Sequence, residues 1–127
     1  MELTLDVLPG GLSIARLPPG APVPPWALTG IPASVTRTSS ELSIVTPDDL
    51  VPGDVRRQDG YRALAVRGPL DFALTGIVSG LTAPLAAAGI PVFVISTFDT
   101  DLILVREAHL AAALATLRSA GAEVVGA

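Results

Sequence analysis

The chain of 127 residues has no cysteine and no lysine, a single histidine and few aromatic side chains: one tryptophan, one tyrosine and three phenylalanines. Without cysteine, disulfides, thiolate metal centres and thiol nucleophiles are excluded. The eight basic residues are all arginine, scattered with Arg56–Arg57 the one adjacent pair, and the net charge is −4. Nucleic-acid binding needs a basic stripe, so none is expected. The apolar stretches are broken by Gly, Pro, Thr or Ser well short of the roughly 18 residues a membrane span requires. No basic segment precedes an apolar run at the N-terminus, so a secretory leader is not expected, and the chain is placed in the cytoplasm. An all-arginine basic set with abundant alanine points to a high-GC bacterial source.

Catalytic signatures are equally scarce. There is no Gly-x-Ser-x-Gly elbow and no Walker-type lysine loop. His109 sits beside Glu107 near a helix start, where a solvated or capping role is expected rather than general-base chemistry. No nucleophile–base set forms, so the chain is read as a non-enzyme with no cofactor.

What is present is hydrophobic. Half of the residues are apolar and 16% are charged, enough for a sizeable core built of Ala, Val, Leu and Ile. The length suits one domain, or two fused half-units. A small chain this apolar hides part of its surface by self-association, and a homodimer is expected.

Leu3–Val7 alternates as a half-buried strand does, Pro9-Gly10-Gly11 is a turn, and Leu12–Leu17 reads as the returning strand of a hairpin. Residues 18–32 carry six of the twelve prolines, leaving room for at most one turn around Trp26, itself a packing anchor. Residues 33–38 and 41–46 read as strands around Ser39-Ser40. Thr46 is an N-cap candidate, with Pro47 first in a stunted helix. Residues 55–60 read as a polar connector and 61–67 as a strand. Residues 75–88 read as an apolar helix, with a kink or an early second segment at Pro84 and a cap at Gly89. Two continuous apolar strands (91–96 and 102–105), a helix over 107–120 and a short strand over 123–125 complete the chain. The second half is β-α-β-β-α-β, a split-βαβ pattern of the α+β class.

Shifting the sequence by 60 residues aligns 34–50 with 94–110 without a gap, placing Glu41 on Asp101 and Val45 on Val105. A duplication is inferred. The boundaries follow: a degenerate, β-rich unit over 1–60 and a complete one over 61–127.

The segment from Gly68 to Val105 carries the functional reading. It places two polar corners around a helix: Asp71–Gly76 before it, and Ser96–Asp101 between the strands that follow. Free backbone N–H groups at a helix start, beside a carboxylate on a strand turn, suit a small zwitterion such as an amino acid. Each residue also has a plainer reading. Asp71 is either a capping carboxylate or an effector contact, and Ser96 and Thr97 either satisfy local backbone or contact the ligand. Phe98 is either a lid or an interface anchor. Asp99 and Asp101 lie on one side of an extended segment, but with no Cys and no nearby His no metal is expected.

The run GPLDFALTGIVSGLTAPLAAAGIPVFVISTFDTDLILV resembles small bacterial proteins with tandem ACT domains, related to the arginine-sensing CASTOR proteins and the regulatory domains of aspartate kinase. The stretch Ile95–Asp101 is its most specific part. The resemblance implies a ferredoxin-like βαββαβ ACT fold in tandem with a degenerate N-terminal half-unit. It also implies an amino-acid effector held between units by the loop before the first helix and the strand turn opposite. Carried onto matching positions, the contacts are Asp71, Phe72, Leu74, Thr75, Gly76 and Ile77 from the loop, and Ser96, Thr97, Phe98 and Asp101 from the turn. Two functions remain: an amino-acid-binding regulatory module, or a structural or interaction module that keeps the fold without the ligand.

Overall fold

The computed structural model describes residues 3–70 and 75–126. In chain order the elements are β1 (Thr4–Val7), β2 (Leu12–Leu17), β3 (Ser34–Arg37), β4 (Leu42–Pro47), β5 (Arg56–Val66), α1 (Ile77–Ala87), β6 (Phe93–Ser96), β7 (Asp101–Arg106), α2 (Leu110–Ser119) and β8 (Glu123–Val125). Single 3-10 turns occupy Pro25–Ala27, Asp48–Leu50 and Glu107–His109. The chain divides into two compact units, Gly10–Tyr61 and Met1–Pro9 with Arg62–Ala127. The class is α+β, as the hydrophobic pattern predicts.

The N-terminal unit orders its strands β3-β4-β2-β5, the arrangement of a split βαβ in which each helix has shrunk to a 3-10 turn. Proline explains the first loss, because six of them between residues 18 and 32 remove the donors a helix needs. Pro47 and Pro52-Gly53 bracket the second turn and leave it no room to propagate. The core of this unit is Ala15, Ala27, Leu42, Ile44 and Val51, and Trp26 packs against it as the expected anchor.

In the C-terminal unit the order is β8-β1-β5-β7-β6. Strand β1 runs antiparallel to β5 and parallel to β8. Strand alternation sends Leu5, Val7, Leu64, Val66, Ile103 and Val105 into one core with Leu81 and Leu85 of α1 and Leu114 and Leu117 of α2. Each such leucine contributes about 1.5–3 kcal/mol by burial. Both helices end alike: Gly89 (φ 74) and Gly121 (φ 99) take the left-handed conformation. The amides of Ile90 and Ala122 then reach back to Leu85 and Leu117, closing carbonyls that would otherwise be left open.

Several expectations are corrected. No hairpin forms over 3–17, because β1 pairs with β5 and β8 while β2 pairs with β4 and β5. The polar connector over 55–60 is the first half of β5, where a bulge sets Asp59 and Gly60 against Ser13. Arg56, Gln58 and Asp59 are exposed there, so the usual apolar sign of a strand is missing. Pro84 starts no second segment, since it lies inside the single helix Ile77–Ala87. Thr46 caps nothing: β4 continues to Pro47, and the Thr46 hydroxyl is buried without a partner.

The two hairpins correspond in register at an offset of 59 residues, not 60. Ser34 faces Val45 in one hairpin as Phe93 faces Leu104 in the other. Strands β4 and β7 share one burial pattern, position by position. Leu42, not Glu41, therefore stands where the second unit has Asp101.

Candidate functional site

Asp101 is the first residue of β7 and shares the parity of Ile103 and Val105, so its side chain leaves the sheet on the helix-covered face. It is only 9% exposed. Directly across the β6–β7 pair stands Ser96, whose Oγ donates to Asp101 Oδ1 at 2.5 Å. A carboxylate this buried needs such donors, and this one is charge-assisted.

The turn between the strands is tied down from both ends. The Thr97 amide donates to the Thr100 carbonyl at 2.8 Å, and the Thr100 amide donates back to Thr97 Oγ1 at 3.2 Å. Thr100 Oγ1 donates to the Val66 carbonyl at 2.6 Å, and the Leu70 amide to the Asp99 carbonyl at 2.7 Å. Gly68 permits this approach. A Cβ there would lie 3.0 Å from the Asp99 carbonyl oxygen and 3.2 Å from Thr100 Cβ.

Opposite the turn, α1 begins without a side-chain cap and without an acidic residue in its first turn. Its N-cap is Gly76 in the left-handed conformation (φ 80). The N–H groups of Ile77, Val78 and Ser79 precede the first intrahelical bond, from Gly80 to Gly76. They concentrate partial positive charge at this end of the helix.

Helix start and turn line one cleft of about 600 Å³. Of the contacts expected from sequence, Gly76, Ile77, Ser96, Thr97, Phe98 and Asp101 line it. Thr75 is exposed and does not. Asp71, Phe72 and Leu74 lie outside the described residues. The cleft adds Leu70, Val78, Ser79 and Thr82, together with Asp99 and Thr100 of the turn. Ser79 and Thr82 were within reach of sequence reasoning, since a helix starting at Ile77 puts them one turn apart on one face. Among the described lining residues there are two carboxylates and no basic side chain. The cleft therefore joins an anionic wall to the positive end of a helix dipole.

The sequence profile of the ACT domain matches residues 56–119, and a second profile, of an N-terminal domain, matches 10–54. A crystal structure of a protein from Agobacterium tumefaciens is 41% identical, over 98% of this chain and 93% of that one, with a TM-score of 0.94. The regulatory subunit of aspartate kinase from Thermus thermophilus shares the fold at 11% identity, over 91% of this chain and 95% of that one, with a TM-score of 0.64. Aspartokinase III of Escherichia coli does so at 11% identity and a TM-score of 0.66, over 94% of this chain and 33% of the longer enzyme. With an ACT profile over half its length and a 41%-identical relative spanning nearly all of it, the chain belongs to the ACT-domain family.

Proposed function

We propose that the protein is an amino-acid-responsive regulatory module with no chemistry of its own, binding its effector in the cleft between the start of α1 and the β6–β7 turn. One observation carries this reading: a buried carboxylate, Asp101, and the uncapped amides of an 11-residue helix line the same cleft. An α-amino acid has one positive and one negative group a few bonds apart. The carboxylate suits the helix amides, and the ammonium suits Asp101. Asp71, Phe72 and Leu74 precede α1 and belong to the proposed site by their place in the sequence. The fold shared with aspartate-kinase regulatory domains supports a regulatory role.

The tandem reading is part of the proposal: the N-terminal unit is a reduced copy, supported by its strand order and the 59-residue equivalence. Leu42 in place of Asp101 leaves that copy without the carboxylate. Phe98, 78% exposed on the turn, is an apolar surface for a second subunit to cover, so the working form is a homodimer. Light scattering should give twice the chain mass, and a monomer at high micromolar concentration would refute that state.

The test of function is a thermal-shift screen against the standard amino acids, followed by calorimetry on any that raise the melting temperature. A saturable response to one or a few amino acids supports the reading. A flat screen overturns it in favour of a module that keeps the architecture without a ligand.

A further inference from the structure

The N-terminal unit contains a polar cluster that the proposed effector site does not use. Ser13 of β2 is fully buried, and so is Thr46, which stands directly opposite it in the β2–β4 register. Register partners leave a sheet on the same face. Here that face is the one that carries Ala15 and Ile44 into the core. On the other side of Ser13, the β5 bulge brings in Asp59, and the turn after β4 brings in Asp48. Both carboxylates approach the same hydroxyl: Asp48 Oδ1 and Asp59 Oδ1 each lie 2.6 Å from Ser13 Oγ.

A serine hydroxyl carries one hydrogen. It can serve one of these carboxylate oxygens, which leaves the other oxygen–oxygen contact without a proton. The Gly60 amide, 3.5 Å from Asp48 Oδ1, is a distant substitute. Arg57 pairs with Asp59 at 3.0 Å, while its Nη1 donates to the carbonyls of Val51 and Pro52.

Thr46 supplies an independent sign. Its Oγ1 is fully buried and has no hydrogen-bond partner, an arrangement that costs stability unless something occupies the oxygen. The equivalent position in the C-terminal unit is Val105, which fills the same kind of place without a polar atom. Gly11 completes the enclosure, since a Cβ there would collide with Asp48 Oδ2. Asp59, with its side chain 55% exposed, leaves a way in from solvent.

We propose that Ser13, Thr46, Asp48 and Asp59 form a calcium site. The donors are all oxygen, two of them carboxylates, which is the chemistry of a hard cation. Calcium tolerates irregular shells of 6–8 oxygens at about 2.3–2.6 Å, with water completing the set. Magnesium demands a near-ideal octahedron, so an irregular cluster of two hydroxyls and two carboxylates favours the larger ion. A bound cation would replace the Ser13 hydrogen as what the carboxylates share, and would give the Thr46 oxygen its partner.

The experiment titrates CaCl2 into the full chain, with MgCl2 as control, and reads melting temperature and calorimetric heat. About 10 mM calcium should raise the melting temperature by about 3–5 °C if the site binds with a Kd of about 1 mM, while magnesium does much less. Thr46→Val installs the residue found at the equivalent position. It should raise the melting temperature without calcium, by removing an unpaired oxygen, and weaken calcium binding at least about tenfold. Asp48→Asn should abolish the response. No calcium response in the wild type overturns the proposal. So does a response that Thr46→Val leaves unchanged, which would mark non-specific screening of surface charge.

Discussion

Asp101→Asn exchanges one oxygen of a buried carboxylate for an amide nitrogen and leaves the shape of the side chain nearly intact. Two effects should separate. In the fold, Asn keeps an acceptor for Ser96 Oγ, now 2.5 Å away, but the bond loses its charge. Hydrogen bonds to charged groups contribute about 1.5–3 kcal/mol and neutral ones about 0.5–1.5, so the fold should lose about 1 kcal/mol. In the proposed complex, the ammonium of the effector loses the charge of Asp101, worth about 1.5–3 kcal/mol, or about ten- to a hundredfold in affinity. Urea unfolding reads the first quantity, and calorimetry with the amino acid identified by thermal screening reads the second. Ser96→Ala provides the contrast: it removes the donor, keeps the charge, and should cost about 1–3 kcal/mol in stability. Equal affinities for wild type and Asp101→Asn would remove Asp101 from the effector site. If that same variant also destabilised the fold as much as Ser96→Ala, its role would be structural.

Gly68→Ala should cost about 1–3 kcal/mol in denaturation and weaken effector binding, because its Cβ meets the Asp99 carbonyl at 3.0 Å and pushes on the β6–β7 turn; unchanged stability would refute the close approach. Arg67 grips Asp6 through two hydrogen bonds of 2.6 and 3.1 Å, which pull the Asp6 carboxyl below its ordinary value and raise the Arg67 guanidinium. That stabilisation is fully present above about pH 4 and is lost as pH falls through the lower folded-state value. Arg67→Met should therefore melt below wild type at pH 7, with a gap that closes toward pH 2; a constant gap refutes the linkage. Calorimetry should give one effector per chain, since Leu42 replaces the carboxylate in the N-terminal unit, and a stoichiometry of two would refute that assignment.

Much of this architecture is legible in residue order. Every strand but β5 lies within a few residues of its hydrophobic pattern, and Gly89 and Gly121 mark both helix ends as caps should. What escaped was long-range or locally ambiguous. Thr4–Val7 and Leu12–Leu17 meet the rule for a hairpin, but pairing is decided by which neighbour best covers each face, and β5 supplied the better partner for both. Arg56–Asp59 lacks the apolar alternation that marks a strand, because that stretch of β5 is largely exposed. The correspondence of the two hairpins was legible but slipped by one residue, since Leu and Val recur too often to fix a register that backbone pairing fixes at once. At the cleft, the turn residues were the readable part, being polar where a buried strand begins. Ser79 and Thr82 were harder to find, because small hydroxyls on an apolar helix look like packing until the facing turn is seen.

The exchange of Asp101 for Leu42 between equivalent strands bears on how steeply the proposed sensor can respond. A molecule with a single receptor site saturates hyperbolically, needing an 81-fold rise in ligand to pass from about 10% to 90% occupancy. If each chain holds one site, sharper switching must come from communication between copies. The steepness of the response would then depend on protein concentration as well as effector concentration. Dilution into the monomer range would flatten the curve, so the amount of this protein present would itself set how decisively the signal is read.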